Sequence, residues 1–124
     1  MSRIVHFEIN TPDVEKATAF YGDVFGWQFQ KWEGNSPTAY WLITTGENGT
    51  PGINGGMLTV EEDWPATVNI LQVDSVDTIT EKITAHGGEV VAPKMAIEGM
   101  GYSAYFKDPN GIAFGVFQPD PSAQ

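Results

Sequence analysis

A repeat runs through this chain: a strand-like run, a capped helix, three further strands, then the same order again. Ile4–Ile9 (IVHFEI) alternates in facing and reads as a strand. Thr11-Pro12-Asp13 supplies an N-cap, a proline at the first helical position and an acid in the first turn. The helix that follows sets Val14, Ala17, Tyr21, Val24 and Phe25 on one stripe, and Gly26 is its C-terminal stop. Trp27–Trp32, Thr38–Thr45 and Gly55–Val60 read as strands separated by Gly, Asn and Pro turns. Thr67–Val73 then opens the second copy, and Asp74-Ser75 caps a helix carrying Val76, Ile79 and Ile83 on one face. Gly87-Gly88 ends that helix, and Glu89–Pro93, Tyr102–Lys107 and Ile112–Gln118 complete the set. Without gaps, Asp13-Val14 lies over Ser75-Val76, Thr18 over Thr80 and Gly26 over Gly88.

The expected architecture is therefore α+β, two tandem βαβββ half-repeats over residues 4–60 and 67–118. Both fall within one domain spanning residues 1–119, since 124 residues leave no room for a second independent core. Glu61–Ala66 joins the halves, and residues 120–124 form a polar tail expected to be mobile.

Composition narrows the function. A formal charge of −10, with six Lys and Arg scattered singly, excludes the basic footprint that nucleic-acid binding needs. No apolar run approaches the roughly 20 residues of a membrane span, and Met1-Ser2-Arg3 leads straight into a strand, which points to the cytoplasm. The absence of cysteine removes disulfides, zinc–thiolate sites and thiol nucleophiles. Ser36, Ser75 and Ser103 have no adjacent histidine, and no G-x-S-x-G, G-x-G-x-x-G or Walker pattern occurs.

Three segments resemble the vicinal-oxygen-chelate superfamily of glyoxalase I, bleomycin-resistance proteins and extradiol dioxygenases. They are His6-Phe-Glu-Ile-Asn-Thr-Pro-Asp13, Ala19-Phe-Tyr-Gly-Asp-Val-Phe-Gly26-Trp27, and Tyr105-Phe-Lys-Asp-Pro-Asn-Gly111. The resemblance covers nearly the whole chain, and it implies a cupped, partly closed sheet around a central pocket. It is specific for the fold and not for a reaction, because this fold hosts isomerases, dioxygenases, drug binders and proteins without catalysis.

The resemblance also implies a divalent metal held by four His or Glu side chains on four strands. His6 matches the first position; the second falls near Gly55-Gly56-Met57, the third on Val68 or, after a one-residue slip, Asn69, and the fourth on Gly115. One imidazole, even with an amide oxygen, cannot compete with water for such an ion, so no metal or other cofactor is expected. The alternative keeps a divalent metal at His6 with Glu8, which strand alternation places on the same face. That pair could equally act as a base and its orienting acid, and Glu8 could simply cap backbone at the sheet rim. His86, at a helix end, reads as a complement to the helix dipole.

Among Trp27, Trp32, Tyr40, Trp41, Trp64, Tyr102 and Tyr105, most are expected in the core, and a minority would line a concavity. The expected ligand-binding set is His6, Glu8, Trp27, Trp41, Asn54, Asn69, Gly115 and Phe117. Glycine at 115 is expected to leave volume for a ligand, and Asn54-Gly55-Gly56 reads either as a close backbone approach to a ligand or as a strand bulge. The sequence thus points to a homodimeric, small-molecule-binding protein, with a glyoxalase-like lyase, isomerase or dioxygenase using His6 and Glu8 as the alternative.

Overall fold

A computed structural model describes residues 1–34, 38–59 and 63–124. The order of elements is β1 (Ile4–Thr11), α1 (Val14–Phe25), β2 (Gln28–Lys31), β3 (Tyr40–Thr44), β4 (Asn54–Thr59), β5 (Thr67–Gln72), α2 (Val76–Ala85), β6 (Glu89–Ile97), β7 (Gly101–Lys107) and β8 (Ala113–Pro119). This is the βαβββ pattern twice over. Val60, Glu61, Glu62 and Ser36, which figured in the sequence reading, lie outside the described residues. The chain divides into two compact units, one over Val5–Thr67 and the other over Val68–Gln124 with Met1–Ile4.

In the first unit the strands run β2-β3-β4-β1, with β1 parallel to β4 and the other pairs antiparallel. Register partners share a sheet face, so the pairings sort every side chain. His6, Glu8 and Asn10 lie with Asn54, Gly56, Leu58, Tyr40, Leu42 and Gln30 on one face. Phe7, Ile9, Gly55, Met57, Trp41, Ile43 and Phe29 lie on the other. Helix α1 covers the second of these. Its N-cap is Asp13, whose carboxylate accepts from the Lys16 amide at 3.0 Å. The cap therefore sits two residues later than Thr11, which instead accepts from the Asp13 amide through its hydroxyl at 3.2 Å. Pro12 is left just ahead of the helix. Gly26 ends it in the left-handed region at φ 76, donating to the Gly22 carbonyl.

In the second unit the order is β5-β8-β7-β6, with β5 parallel to β8. Ser75 caps α2 by accepting from the Thr78 amide. Beneath α2 lies the apolar cluster of Val73, Val76, Ala104, Phe106 and Val116, flanked by Ile79, Ile83, Tyr102 and Phe114. The Val76 amide, one of the orphan donors of the first turn, is taken by the Gln118 side chain at 2.9 Å. Strand β6 runs past Pro93, where the sequence suggested a stop. A proline is tolerated there because β6 is the unit's outer strand and its register shifts between Val90 and Met95. Residues 120–124, expected to be mobile, fold back instead: the Asp120 amide donates to Met100, Ala123 accepts from the Gly99 amide, and Ala123 is buried.

Candidate functional site

The polar face of the first unit carries the chemistry. Strand β1 exposes alternate residues to each side, and the side away from α1 holds His6, Glu8 and Asn10, with Glu8 and Asn10 buried. Burying such groups is unfavourable unless they are hydrogen-bonded. Asn10 meets that requirement by donating from Nδ2 to the Pro65 carbonyl at 2.9 Å. Glu8 does so through Tyr40, whose hydroxyl donates to Oε2 at 3.0 Å. The same hydroxyl lies 2.8 Å from His6 Nε2. An imidazole, a phenol and a carboxylate are thus joined in one line across β1 and β3.

Tyr40 reaches that position because Gly56 is a glycine. In register Tyr40 stands opposite Leu58, and Gly56 lies opposite Leu42 and beside Glu8. The ring must cross over position 56 to reach β1, and a Cβ there would collide with the Tyr40 hydroxyl and Cζ. On the other face a Cβ at Gly55 would meet the Phe7 ring at 2.7 Å. The two glycines therefore admit the protein's own aromatic rings, one on each face, and neither offers an open approach to a ligand.

Burial holds the His6 imidazole below its usual pKa of 6.5, because desolvation disfavours the charged ring. His6 is half-buried, and among the described residues Tyr40 is its single hydrogen-bond partner. Among the described residues no buried side-chain nitrogen or oxygen lacks a partner, so the second ring nitrogen of His6 keeps access to solvent. Beside the trio, Asn54 stands in register with His6 and lines an open cleft with Gln28, Thr44, Thr45, Glu47 and Asn48. Its Oδ1 is committed to the hairpin, accepting from the Thr45 amide at 2.9 Å.

The other expected ligand-binding residues are placed differently. Trp27 stacks on Tyr21 with centroids 5.0 Å apart and touches Phe7 at 5.8 Å, so it belongs to the aromatic packing on the α1 side. Trp41 shares that side with Met57 and lies under the Lys31 ammonium, 5.9 Å from the ring. Both tryptophans are across the sheet from His6. Asn69 is exposed, and alternation puts it on the face of Leu71 and Val116, toward α2. Val68 and Ile70 occupy the opposite face with Gly115 and Phe117, which is the register of the gapless repeat. The volume expected at Gly115 is filled: a Cβ there would meet Ile70 Cδ1 at 2.6 Å and the Tyr105 ring at 3.0 Å. Tyr40 is a residue of this face that the sequence names only within the mixed set of aromatics, without a place in the ligand-binding set. Its signal was a strand aromatic followed, one hairpin later, by paired glycines.

The residues do not fit a divalent metal. The positions that should supply ligands carry Gly56, filled by a phenol, Val68, and Gly115, filled by aliphatic and aromatic carbon. Among the described residues no three His, Cys, Asp or Glu side chains converge. A neutral imidazole and a carboxylate already bridged by a phenol lack the three or four donors such an ion requires. His86, the remaining histidine, lies within 2.8 Å of the Lys82 carbonyl through Nδ1 at the end of α2.

The fold just described is that of a vicinal-oxygen-chelate protein. The chain belongs to the glyoxalase/bleomycin resistance protein/dioxygenase superfamily, whose model matches residues 3–116. A protein of Mycobacterium bovis named as a glyoxylase, CFP32, is 27% identical over 117 residues, which is 90% of this chain and 43% of that protein. The anthracycline biosynthesis protein DnrV of Streptomyces peucetius is 24% identical, with 90% of this chain and 45% of its own length covered. The chain thus spans less than half the length of these curated relatives. Among solved structures, protein BH1468 of Bacillus halodurans superimposes with a TM-score of 0.72 at 10% identity, covering 99% of this chain and 98% of that one. Methylmalonyl-CoA epimerase from Mycobacterium tuberculosis gives 0.67 at 14% identity, covering 94% and 87%. At such identities the likeness is one of fold. Among the described residues no helix is long and apolar enough to cross a membrane.

Proposed function

We propose that this protein binds a small organic molecule against the polar face of its first repeat, without a metal ion. The observation that carries the reading is the hydrogen-bonded line from the half-buried His6 through Tyr40 to the buried Glu8, with one imidazole nitrogen still reaching solvent. Such a wall suits ligand recognition: few polar groups, fixed by one another, on a strand scaffold. The naming of a relative for anthracycline biosynthesis makes anthracyclines sensible probes beside simple phenols and amides. The test is a fragment screen by amide chemical-shift perturbation on wild type, His6→Ala and Tyr40→Phe. Hits should perturb β1 and β3 and weaken in both variants. Hits insensitive to both substitutions would place binding elsewhere and sink the reading.

The same line favours a second reading, a lyase or isomerase that moves a proton through Tyr40 between His6 and Glu8. Deuterium exchange at a carbon acid, catalysed by wild type and lost in Glu8→Gln, would support it over simple binding. A dioxygenase would require the metal that these residues do not fit. We also propose that the chain self-associates, because Phe20, Val24 and Phe25 stand exposed on α1. Light scattering at micromolar concentration should give about twice the chain mass, and the chain mass itself would refute this.

A further inference from the structure

We propose that Tyr40 locks His6 in the Nε2–H tautomer, so that the ring presents Nδ1 as a hydrogen-bond acceptor and the site selects ligands bearing an O–H or N–H donor. This rests on the binding reading above and specifies its chemistry. A phenol has one proton to give, and an ionised carboxylate can only accept. With Glu8 ionised and Tyr40 donating to its Oε2 at 3.0 Å, the phenol oxygen has only lone pairs left for His6 at 2.8 Å. The proton in that contact must come from the imidazole, on Nε2. A neutral ring carries one N–H, which leaves a lone pair on Nδ1. Among the described residues Nδ1 has no partner, and it keeps solvent access. Tyr40 is therefore a positioning residue: it acts on the ligand through the imidazole, and Gly56 makes room for it.

The molecule contains its own control. His86 Nδ1 lies 2.8 Å from the Lys82 carbonyl, which can only accept, so the neutral His86 ring carries its proton on Nδ1. The two histidines are expected in opposite tautomers.

Long-range ¹H–¹⁵N correlation spectra at pH 8 on ¹⁵N-histidine-labelled protein read this directly, without any ligand. His6 should show Nε2 in the protonated range and Nδ1 in the unprotonated range, with His86 reversed. In Tyr40→Phe the two His6 nitrogens should move toward intermediate values while His86 stays unchanged. An Nδ1–H or mixed His6 in wild type overturns the lock, since the phenol would then be donating to the ring. An unchanged His6 in folded Tyr40→Phe overturns the role of Tyr40. If that variant does not fold, the wild-type tautomer alone decides. Phenol and anisole then separate the lock from the binding reading. Phenol should shift the Nδ1 resonance and anisole should not, and an equal shift with both overturns donor selection. A correct tautomer with neither probe moving Nδ1 keeps the lock and overturns the binding reading.

Discussion

The two repeats fill one equivalent position in opposite ways. In the first, Gly56 lies beside Glu8 and receives a tyrosine hydroxyl that is hydrogen-bonded on both sides. In the second, Gly115 lies beside Ile70 and receives the Ile70 methyl and the Tyr105 ring. The helices follow suit. No residue of α1 is buried, whereas α2 buries Val76 over a cluster that includes the fully buried Phe106. Apolar burial is worth roughly 25 cal/mol per Å² of surface, and a hydrogen bond only about 1 kcal/mol net. Most of the fully buried apolar residues thus lie in the C-terminal repeat, with Ile43 and Met57 in the N-terminal one, which also carries the polar line.

The largest test of that division is Phe106→Ala, which removes the biggest side chain of the buried cluster. It should cost about 3–5 kcal/mol by urea denaturation. A loss of under about 1 kcal/mol would mean the second repeat is not the stability core.

Gly56→Ala and Gly115→Ala make the comparison sharper, because both add one methyl group to an occupied glycine seat. At 56 the methyl lands on the phenol, so Tyr40 must leave and both its hydrogen bonds go; overpacking of this kind costs about 3 kcal/mol. At 115 the nearest atom is the free end of a flexible isoleucine, and a cost of about 1 kcal/mol is expected. Equal destabilisation of the two variants would show that the polar seat is no more exacting than the apolar one.

The smallest effect is one of pH. The folded pKa of His6 is depressed below 6.5 by burial, so folding favours the neutral ring. Its contribution is present above about pH 6.5 and is lost as pH falls through the lowered folded value. Denaturation of wild type and His6→Gln between pH 7.5 and 5 should show the wild-type advantage shrinking with acidity. An advantage that is constant or grows toward pH 5 would contradict the burial argument.

Much of this was legible beforehand. Helix stops at Gly26 and Gly87 and the gapless repeat foretold the topology, since glycine punctuation and alternation are local signals. The parity of β1 was legible too, because His6, Glu8 and the apolar Phe7 and Ile9 alternate without interruption. Tyr40 and Trp41 defeated the same logic. They are adjacent, one must face each way, and both are amphipathic aromatics at home on either side. Only the pairing of Trp41 with Met57 decides between them, and that pairing is non-local. Trp27 misled for another reason. It directly follows the left-handed Gly26, and the reversal there folds the indole back onto Tyr21 instead of extending it along β2.

The seat at Gly56 also bears on which mutational paths are open to this chain. A donor at that position is what the superfamily's metal site would need from β4, and a single substitution cannot install one while Tyr40 lies across it. The order of events is constrained: the tyrosine must shrink first, at the expense of its bond to the buried Glu8. Residues 40 and 56 are thus epistatic. Among homologues, a side chain at 56 should occur only where 40 has become small.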